Sequence, residues 1–450
     1  MKPPARVAYG RMLPLCLLGL CAAIMVGCGG APPGDPGNNN NGGANPLPTT
    51  DTTIAEVTYR DGASVVAADT MQTKLVAKGD DTTPYVFDGS ASDVAALQQG
   101  DVVLFAGTAV RKVKSVTNSG GQIQVETEAA TLNQAIQDGR LAWVRNIDIG
   151  ALPAPEVDSD ADASWGVIPV ASSAAGARAT TKYQITGRIA PWDIEAEVEP
   201  TPSKLNLSLQ ATLTYGGKKV AAFTGTGFVT AVRQTGEIQI KDGELANLIM
   251  SSDNYTGEVE VKWAAFNEGA LPITDFARLS IPVSFPIPIE VGPVLLVARL
   301  KLAARLVPTI PAAQSSSGGS FKVTFGADQG FKLAGTQVSI LGALRSANIG
   351  VSGETVSAGW IATGMAVGLE FPRFELSLFG TDTMAFVTVD TYAFSLYNPS
   401  NSEGKACQCG GVRFKAIAGY KLAILGKTAL NSQHELWKKD FDKCLDNPCT

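Results

Sequence analysis

Alternation of apolar and polar residues recurs along most of this 450-residue chain, and it constrains the possible folds more than any other feature. A two-residue period puts one set of side chains on each face of an extended strand, which is the pattern of a half-buried β-sheet. Glycine pairs such as Gly120-Gly121 and Gly216-Gly217 separate neighbouring runs, as hairpin turns do. No segment of useful length keeps the 3.6-residue period of a helix, and residues 296–306 alternate better as a strand. The sequence therefore predicts an all-β protein.

The alternating runs divide the chain into segments of different character. We predict a small β-rich module over residues 53–150, a linker over 151–180, a large antiparallel β-sandwich or curved-sheet domain over 181–400, and a C-terminal hairpin or cap over 401–450. The linker is inferred from its high content of Pro, Ala, Ser and Asp. Two short helices are expected inside the small module, at residues 92–98 and 131–137.

The N-terminus has the layout of an export signal. Three basic residues precede an apolar stretch over residues 12–26, which is too short to span a bilayer comfortably as a helix. Small Gly27 follows, as at a cleavage site, so residues 1–27 are predicted to be a signal peptide. Residues 28–52 are mainly Gly, Pro and Asn with almost nothing apolar, which predicts a disordered tether.

The end of this leader, Met25-Val26-Gly27-Cys28, resembles the lipobox of bacterial lipoproteins. The resemblance implies that the Cys28 thiol carries a diacylglycerol and that fatty acyl chains such as palmitate anchor the mature protein in a membrane. Gly29 stands where an Asp retains such lipoproteins in the inner membrane, so the resemblance implies the outer membrane and leaves the periplasmic or surface face open. Leu18-Gly19-Leu20-Cys21 is a competing site with a bulkier residue before the cysteine, and an ordinary secretory signal with an incidental Cys28 is the other alternative.

Charge and a second resemblance add little about function. Without the leader's three basic residues the net charge falls from −6 to −9, and no basic cluster remains, which argues against nucleic acid as a partner.

Residues 97–132 contain Gly100-Asp101, Arg111-Lys112-Val113 and an alternating run that ends at Leu132. This pattern is similar to uncharacterised exported bacterial β-rich proteins, and the similarity implies no activity.

Four cysteines lie near the C-terminus: Cys407, Cys409, Cys444 and Cys449. An even number of clustered cysteines in an exported chain predicts two disulfides that staple this end of the protein. Three connectivities are possible, and we favour bridges between the first pair and the second pair. A four-cysteine zinc site is the alternative, although the spacing fits poorly with the usual ligand pairs.

Residues 281–297 are nearly all apolar but contain four prolines. Proline cannot donate to a sheet ladder, so this segment is expected at an edge or a bulge. An apolar edge has to be covered. The segment is therefore either core or a groove for an apolar ligand, and the candidate groove residues are Val283, Phe285, Ile287, Ile289 and Val291.

Catalytic and metal-binding motifs are missing from the sequence. His434 is the one histidine, which excludes most histidine-based triads and multi-histidine metal sites. Asp158, Asp160 and Asp162 have the spacing of the first calcium-loop ligands, but Pro169 stands where the closing Glu is needed. The acidic stripe Asp193, Glu195, Glu197 and Glu199 is interpreted as a solvated edge. We expect no cofactor, no metal and no enzyme activity, although a distant carboxylate pair stays open.

These observations lead to a function hypothesis. We predict a lipid-anchored cell-envelope protein with a non-catalytic binding or structural role, either a scaffold component or an adhesin-like protein with a glycan or protein partner. One alternative is a carrier of lipid or another apolar ligand through residues 281–297. The other is a polysaccharide-acting hydrolase that uses Asp or Glu.

Overall fold

The computed structural model describes residues 50–158, 161, 164–171, 181–267, 278–307, 315–352, 355–356, 363–380, 383–398, 407–425 and 427–445. The predicted signal peptide, Cys28, most of the predicted tether and Cys449 lie outside these residues.

The described residues are all-β, as predicted. The strands of the first 200 residues are β1 (Thr52–Tyr59), β2 (Ala63–Val66), β3 (Leu75–Ala77), β4 (Tyr85–Asp88), β5 (Val102–Phe105), β6 (Ala109–Ser119), β7 (Gln122–Ala129), β8 (Ile136–Ile147), β9 (Glu156–Val157), β10 (Gly166–Ala171), β11 (Thr181–Ile189) and β12 (Trp192–Pro200). The later strands are β13 (Lys204–Tyr215), β14 (Lys218–Thr230), β15 (Val232–Lys241), β16 (Glu244–Asn267), β17 (Arg278–Val291), β18 (Val294–Val307), β19 (Ser315–Ala334), β20 (Gln337–Leu341), β21 (Leu344–Ser352), β22 (Thr355–Val356), β23 (Thr363–Leu378), β24 (Thr383–Asn398), β25 (Cys407–Leu422) and β26 (Lys427–Leu445).

The helices are short. They are α1 (Ala68–Thr73), α2 (Ser92–Ala95) and α3 (Leu132–Ala135), with 3-10 turns at Ile149–Ala151 and Ala423–Leu425. The α2 and α3 helices lie within the two segments that the sequence predicts to be helical. Thr131 caps α3 through a capping box with Gln134, a local signal that satisfies backbone groups at a helix start.

The strands form three sheets. The large sheet has thirteen strands, with the path β1-β8-β15-β16-β14-β13-β12-β11-β10 and with β19 carrying β20, β21 and β22 beside β16. The second sheet has seven strands in the order β26-β25-β24-β23-β18-β17-β9, and the small sheet has six in the order β2-β5-β6-β7-β4-β3. Pairing is antiparallel in the large and second sheets, whereas β2 and β5 of the small sheet are parallel.

A bend that we call the crease divides the large sheet. One edge of β16 pairs with β15 and then with β14, while its other edge pairs with β19 along almost its whole length. At the crease Asp253 and Asn254 of β16 lie opposite the single residue Asp328 of β19, which is a β-bulge. The Asn254 N–H donates to Asp328 Oδ1 at 2.8 Å, and Arg345 Nε lies 3.3 Å from Asp328 Oδ2. The bulge therefore bends one continuous ladder instead of ending it.

The second sheet packs face to face on the large sheet. Aromatic side chains meet across the interface, with ring centroids 5.0 Å apart for Phe325 and Phe414 and 5.8 Å apart for Phe331 and Tyr420. The apolar positions of both inner faces belong to one buried cluster, as expected for two layers that share a core.

The predicted module over residues 53–150 contributes to two sheets. The small sheet, β2 to β7, has its own buried cluster around Phe87 and Phe105. In contrast, β1 and β8 belong to the large sheet, where β8 pairs with β15. Trp143 of β8 covers Gly236, where a Cβ atom would lie 2.0 Å from the indole ring, so only glycine fits beneath it.

The two remaining predicted segments also contribute strands. Within the predicted linker, β9 pairs with β17 and β10 pairs with β11. At the C-terminus, β25 and β26 pair with each other and complete the second sheet beside β24.

Candidate functional site

The five candidate groove residues lie in the core. Val283, Phe285, Ile287, Ile289 and Val291 of β17 are each at most 6% exposed. The space beside Val283 and Phe285, between the large and second sheets, is a cavity of about 20 Å³. A water molecule needs about 10–15 Å³ of such volume, so this space is about the size of one water molecule and far too small for a fatty acyl chain.

The prolines of this segment lie at a sheet edge. Along β17 one neighbour is β18, and the other is β9, which pairs only with Val283 and Ser284. Pro286 and Pro288 lie beyond β9, where β17 is the outermost described strand of the second sheet. An edge strand tolerates proline because its outer N–H groups have no ladder partner.

An open cavity of about 900 Å³ with a largely polar lining lies between the small sheet and the second sheet. We call it the polar cavity. Its charged lining residues are Asp81, Arg111, Glu156, Asp158, Arg299, Lys301 and Lys421. Strand alternation explains why several of them share one side: Arg299 and Lys301 are two residues apart on β18, on the face opposite to the core residues Ala298 and Leu300.

A chain of ion pairs crosses this face of the second sheet. Lys301 Nζ lies 2.8 Å from Asp158 Oδ2 and 3.2 Å from Glu375 Oε2. Arg373 Nε donates to Glu375 Oε1 at 2.7 Å, and the Thr383 hydroxyl donates to Glu375 Oε2 at 2.9 Å. Both oxygens of the Glu375 carboxylate are therefore occupied by protein donors.

The Glu375 carboxylate is held in its ionised form by its neighbours. Burial raises the pKa of Glu375, but the Arg373 and Lys301 cations and two side-chain hydrogen bonds outweigh it, so the net pKa lies below its ordinary value. The Arg373 guanidinium also lies 3.9 Å from the centroid of the Phe386 ring, which adds a cation–π contact. A carboxylate held this firmly in its ionised form is a poor general acid.

Three further cations line the polar cavity in different ways. Arg111 of the small sheet pairs with Asp81 and donates through Nε to the Thr127 hydroxyl at 2.9 Å. Arg299 donates from Nη1 to the Ser377 hydroxyl at 2.7 Å and from Nη2 to the Gly380 carbonyl at 2.9 Å. Within the described parts of the chain, neither Arg299 nor the exposed Lys421 has a carboxylate partner.

The other residues that the sequence singled out lie away from the polar cavity. His434 is half-buried on β26, with its Nε2 3.5 Å from the Tyr420 hydroxyl and its ring stacked on that of Tyr420. Asp193 and Glu197 of the acidic stripe pair with Arg188 and Lys182 on the neighbouring strand β11. The acidic stripe therefore lies on a solvated face of β12, which is an interior strand between β11 and β13 and not the sheet edge that the sequence suggested, and His434 is a half-exposed imidazole.

The aspartates with calcium-loop spacing and the cysteines of the predicted disulfides are placed in part. Among the described residues, no group of three His, Cys, Asp or Glu side chains is arranged to hold a metal ion. Asp158 lies in the polar cavity, and Asp160 and Asp162 fall outside the described residues. The backbone register places Cys409 of β25 directly opposite Cys444 of β26.

Sequence reasoning did not find the polar cavity. Its charged residues come from β6, β9, β18 and β25 and from the segment before β4, so they are distant in sequence. The available signal was the alternation of Arg299 and Lys301 within an apolar run, which places two cations on one face of a strand.

Comparison with known proteins gives one partial match. Residues 45–138 match the model of a domain of unknown function, DUF8403, which covers β1, the small sheet and residues 97–132. No curated protein and no solved structure matches the chain. In the described portion of the protein, no helix has both the length and the apolar character that crossing a bilayer requires.

Proposed function

We propose that this protein is a component of the cell envelope, anchored by lipid in the outer membrane, and that it acts by binding rather than by catalysis. The leader sequence up to Gly27 and Cys28 supports the anchor and the location. A binding role fits both forms of the hypothesis, an envelope scaffold and an adhesin-like protein.

The proposal of a binding role rests on the ion pairs made by carboxylates in and beside the polar cavity. Asp81 is paired with Arg111, Asp158 with Lys301, and Glu375 with Lys301 and Arg373. General acid–base catalysis needs a carboxyl group whose pKa is tuned toward the working pH, whereas the pKa of Glu375 is lowered and Asp81 and Asp158 are each engaged in an ion pair. A large cavity with fixed charges is suited to recognising a polar partner.

The anchor is tested by metabolic labelling with a fatty acid. The full-length protein with Cys28→Ser is expected to lose the label and to appear in the soluble fraction of the envelope. The matched control Cys21→Ser removes the competing cysteine and is expected to keep the label. Retained label in the Cys28→Ser protein would overturn the proposed anchor.

The binding role is tested by native mass spectrometry of the full-length protein in mild detergent, followed by organic extraction. We expect no stoichiometric apolar passenger, because the space beside β17 is about 20 Å³. A bound lipid would instead favour the carrier hypothesis through residues 281–297. Release of reducing ends from an envelope polysaccharide would favour the hydrolase.

We also propose that disulfides staple the C-terminal end. Directly opposite residues of an antiparallel pair have Cα atoms about 4.5–5.5 Å apart, within the range of about 4.4–6.8 Å that a disulfide requires. The register therefore favours a Cys409–Cys444 bridge and leaves Cys407 for Cys449. Peptide mapping of the unreduced protein tests this connectivity, and a fragment that joins Cys407 to Cys409 would overturn it.

A further inference from the structure

We propose that the polar cavity binds an acidic saccharide, and that Arg299 and Lys421 hold its carboxylate. This inference rests on the proposed binding role and specifies the ligand and the site. Three observations support it: the balance of charge in the cavity, the way in which Arg299 is held, and the size and composition of the walls.

The charge balance leaves two cations available to a ligand. Arg111 is engaged by Asp81, and Lys301 is engaged by Asp158 and Glu375. Arg299 bonds only to the neutral groups Ser377 and Gly380 within the described residues. With Lys421, the cavity presents two cations that no described carboxylate neutralises. The lining as a whole, with Glu156 included, has four cations against three carboxylates, and this excess favours an anionic group in the ligand.

Arg299 is held in a fixed position and still has N–H donors available for a ligand. A guanidinium group has five N–H donors, and two of them bond to Ser377 and Gly380. The remaining donors are free to bond a planar carboxylate, which matches the fork of a guanidinium group. Because both bonds to protein already fix the side chain, binding costs little additional side-chain entropy.

The walls indicate what the rest of the ligand is like. A volume of about 900 Å³ is far larger than one inorganic ion and is within the usual range for an organic ligand. Glu156 lines the cavity as an exposed carboxylate, which accepts hydrogen bonds from hydroxyl groups. Val110 and Phe379 add small apolar surfaces against which a sugar ring packs. Several hydroxyl groups, a ring and a carboxylate together describe a uronic-acid saccharide.

Calorimetric titration of the full-length protein with trigalacturonate tests the proposal. Lys421→Gln and Arg299→Gln are each expected to weaken binding about tenfold, because each removes one charged bond to the carboxylate. Lys219→Gln is the matched control, since Lys219 is an exposed strand lysine that does not line the cavity, and its affinity is expected to stay unchanged. The neutral trisaccharide maltotriose is expected to bind at least tenfold more weakly than trigalacturonate.

Several outcomes would overturn the inference. They are absence of trigalacturonate binding, equal affinity for maltotriose, and unchanged affinity in the Lys421→Gln protein. Arg299 bonds to Gly380 between β23 and β24, so its substitution can also disturb folding. Lys421 is exposed, and its substitution tests the site without that effect. Binding of inorganic phosphate with the same dependence on Arg299 and Lys421 would assign the site to phosphate instead. If an envelope glycan binds independently of Lys421, the binding role survives and this inference fails.

Discussion

At the residue scale, the protein buries polar groups in two contrasting ways. Glu375 and Arg373 are 6% and 8% exposed, and each meets an opposite charge. Gln329 is 0% exposed, and neither its amide nitrogen nor its amide oxygen has a hydrogen-bond partner among the described residues. A buried pair is costly to break, whereas a buried polar group without a partner is costly to keep.

The Glu375 ion pairs predict a loss of stability in acid. Because the pKa of Glu375 is lowered in the folded protein, its contribution is fully present above pH 4.5 and is lost as the pH falls through the folded value. Glu375→Gln is expected to reduce the free energy of unfolding by about 3 kcal/mol at neutral pH and by less in acid. Urea denaturation between pH 7 and pH 3 measures how the difference in free energy of unfolding between the two proteins shrinks in acid.

Glu260→Gln is the matched control for this experiment. Glu260 pairs with Lys262 on the solvent-facing side of β16, where water and salt screen the interaction. Its effect on stability is expected to stay within about 0.5 kcal/mol at every pH. A parallel pH profile for the Glu375→Gln protein and the unsubstituted protein would contradict the assigned role of Glu375.

The buried amide of Gln329 predicts a stabilising substitution. Met has nearly the same length and shape but no amide, so Gln329→Met removes a polar group that lacks protein partners. We expect the free energy of unfolding to rise by about 1 kcal/mol in urea denaturation. Gln210→Met, at an exposed position of β13, is expected to change it by less than about 0.5 kcal/mol. Destabilisation by Gln329→Met would show that the amide is satisfied in solution.

At the scale of elements, prolines mark the outer strands of both main sheets. Pro169 lies in β10 at one end of the large sheet, and Pro286 and Pro288 lie in β17 near one end of the second sheet. An open strand edge invites pairing with another chain, and a proline removes a donor from that edge. The sequence predicts the edge placement of β17 from its prolines, whereas Pro169 falls in the segment predicted to be a linker.

Removal of an edge proline is expected to promote self-association. Pro286→Val and Pro288→Val together restore two N–H groups to an apolar strand that lies beyond β9. We expect light scattering to show larger particles at protein concentrations where the unsubstituted protein is monodisperse. Thr224→Val, on the interior strand β14, adds an apolar side chain without an edge donor and is expected to leave the scattering unchanged. Equal scattering in both variants would contradict the edge argument.

The sequence predicts strands well and their partners poorly. Two-residue alternation and glycine turns are local signals, so most of the long strands and α2 and α3 are found without knowledge of the fold. The ion pair between Lys301 and Glu375 depends on register between β18 and β23, which are separated by a long stretch of chain. Local patterns do not encode that register, and for the same reason the polar cavity was not predicted.

At the scale of the whole molecule, the N-terminal region is built into the large sheet. Strands β1 and β8 flank the small sheet in sequence but pair with the large sheet in space. The sequence gives no sign of this, because β1 and β8 alternate in the same way as their neighbours. The small sheet is therefore attached through two strands of the large sheet rather than through a flexible linker alone.

This attachment predicts the order of local opening. Amide hydrogens of β1, β8 and β15 are expected to exchange with solvent at similar rates. Those rates are expected to be lower than the rates of the small-sheet strands β5 to β7. Hydrogen-exchange mass spectrometry of peptides from each region measures the rates. Trp143→Ala, which empties the space over Gly236, is expected to speed exchange in β8 and β15 together. Exchange of β8 at the rate of β6 and β7 would contradict this coupling.

The crease also affects how the length of this chain can change in evolution. In an uninterrupted ladder, inserting one residue turns every later side chain to the opposite face, so only even insertions preserve a core. At the crease two residues of β16 already oppose one residue of β19, and the bulge absorbs the odd count. We expect insertions and deletions of either parity among homologous chains to gather near Asn254 in β16 and near the neighbouring strand breaks, at Ala231 between β14 and β15 and at Gly342 between β20 and β21. The two halves of the large sheet would then vary in length independently.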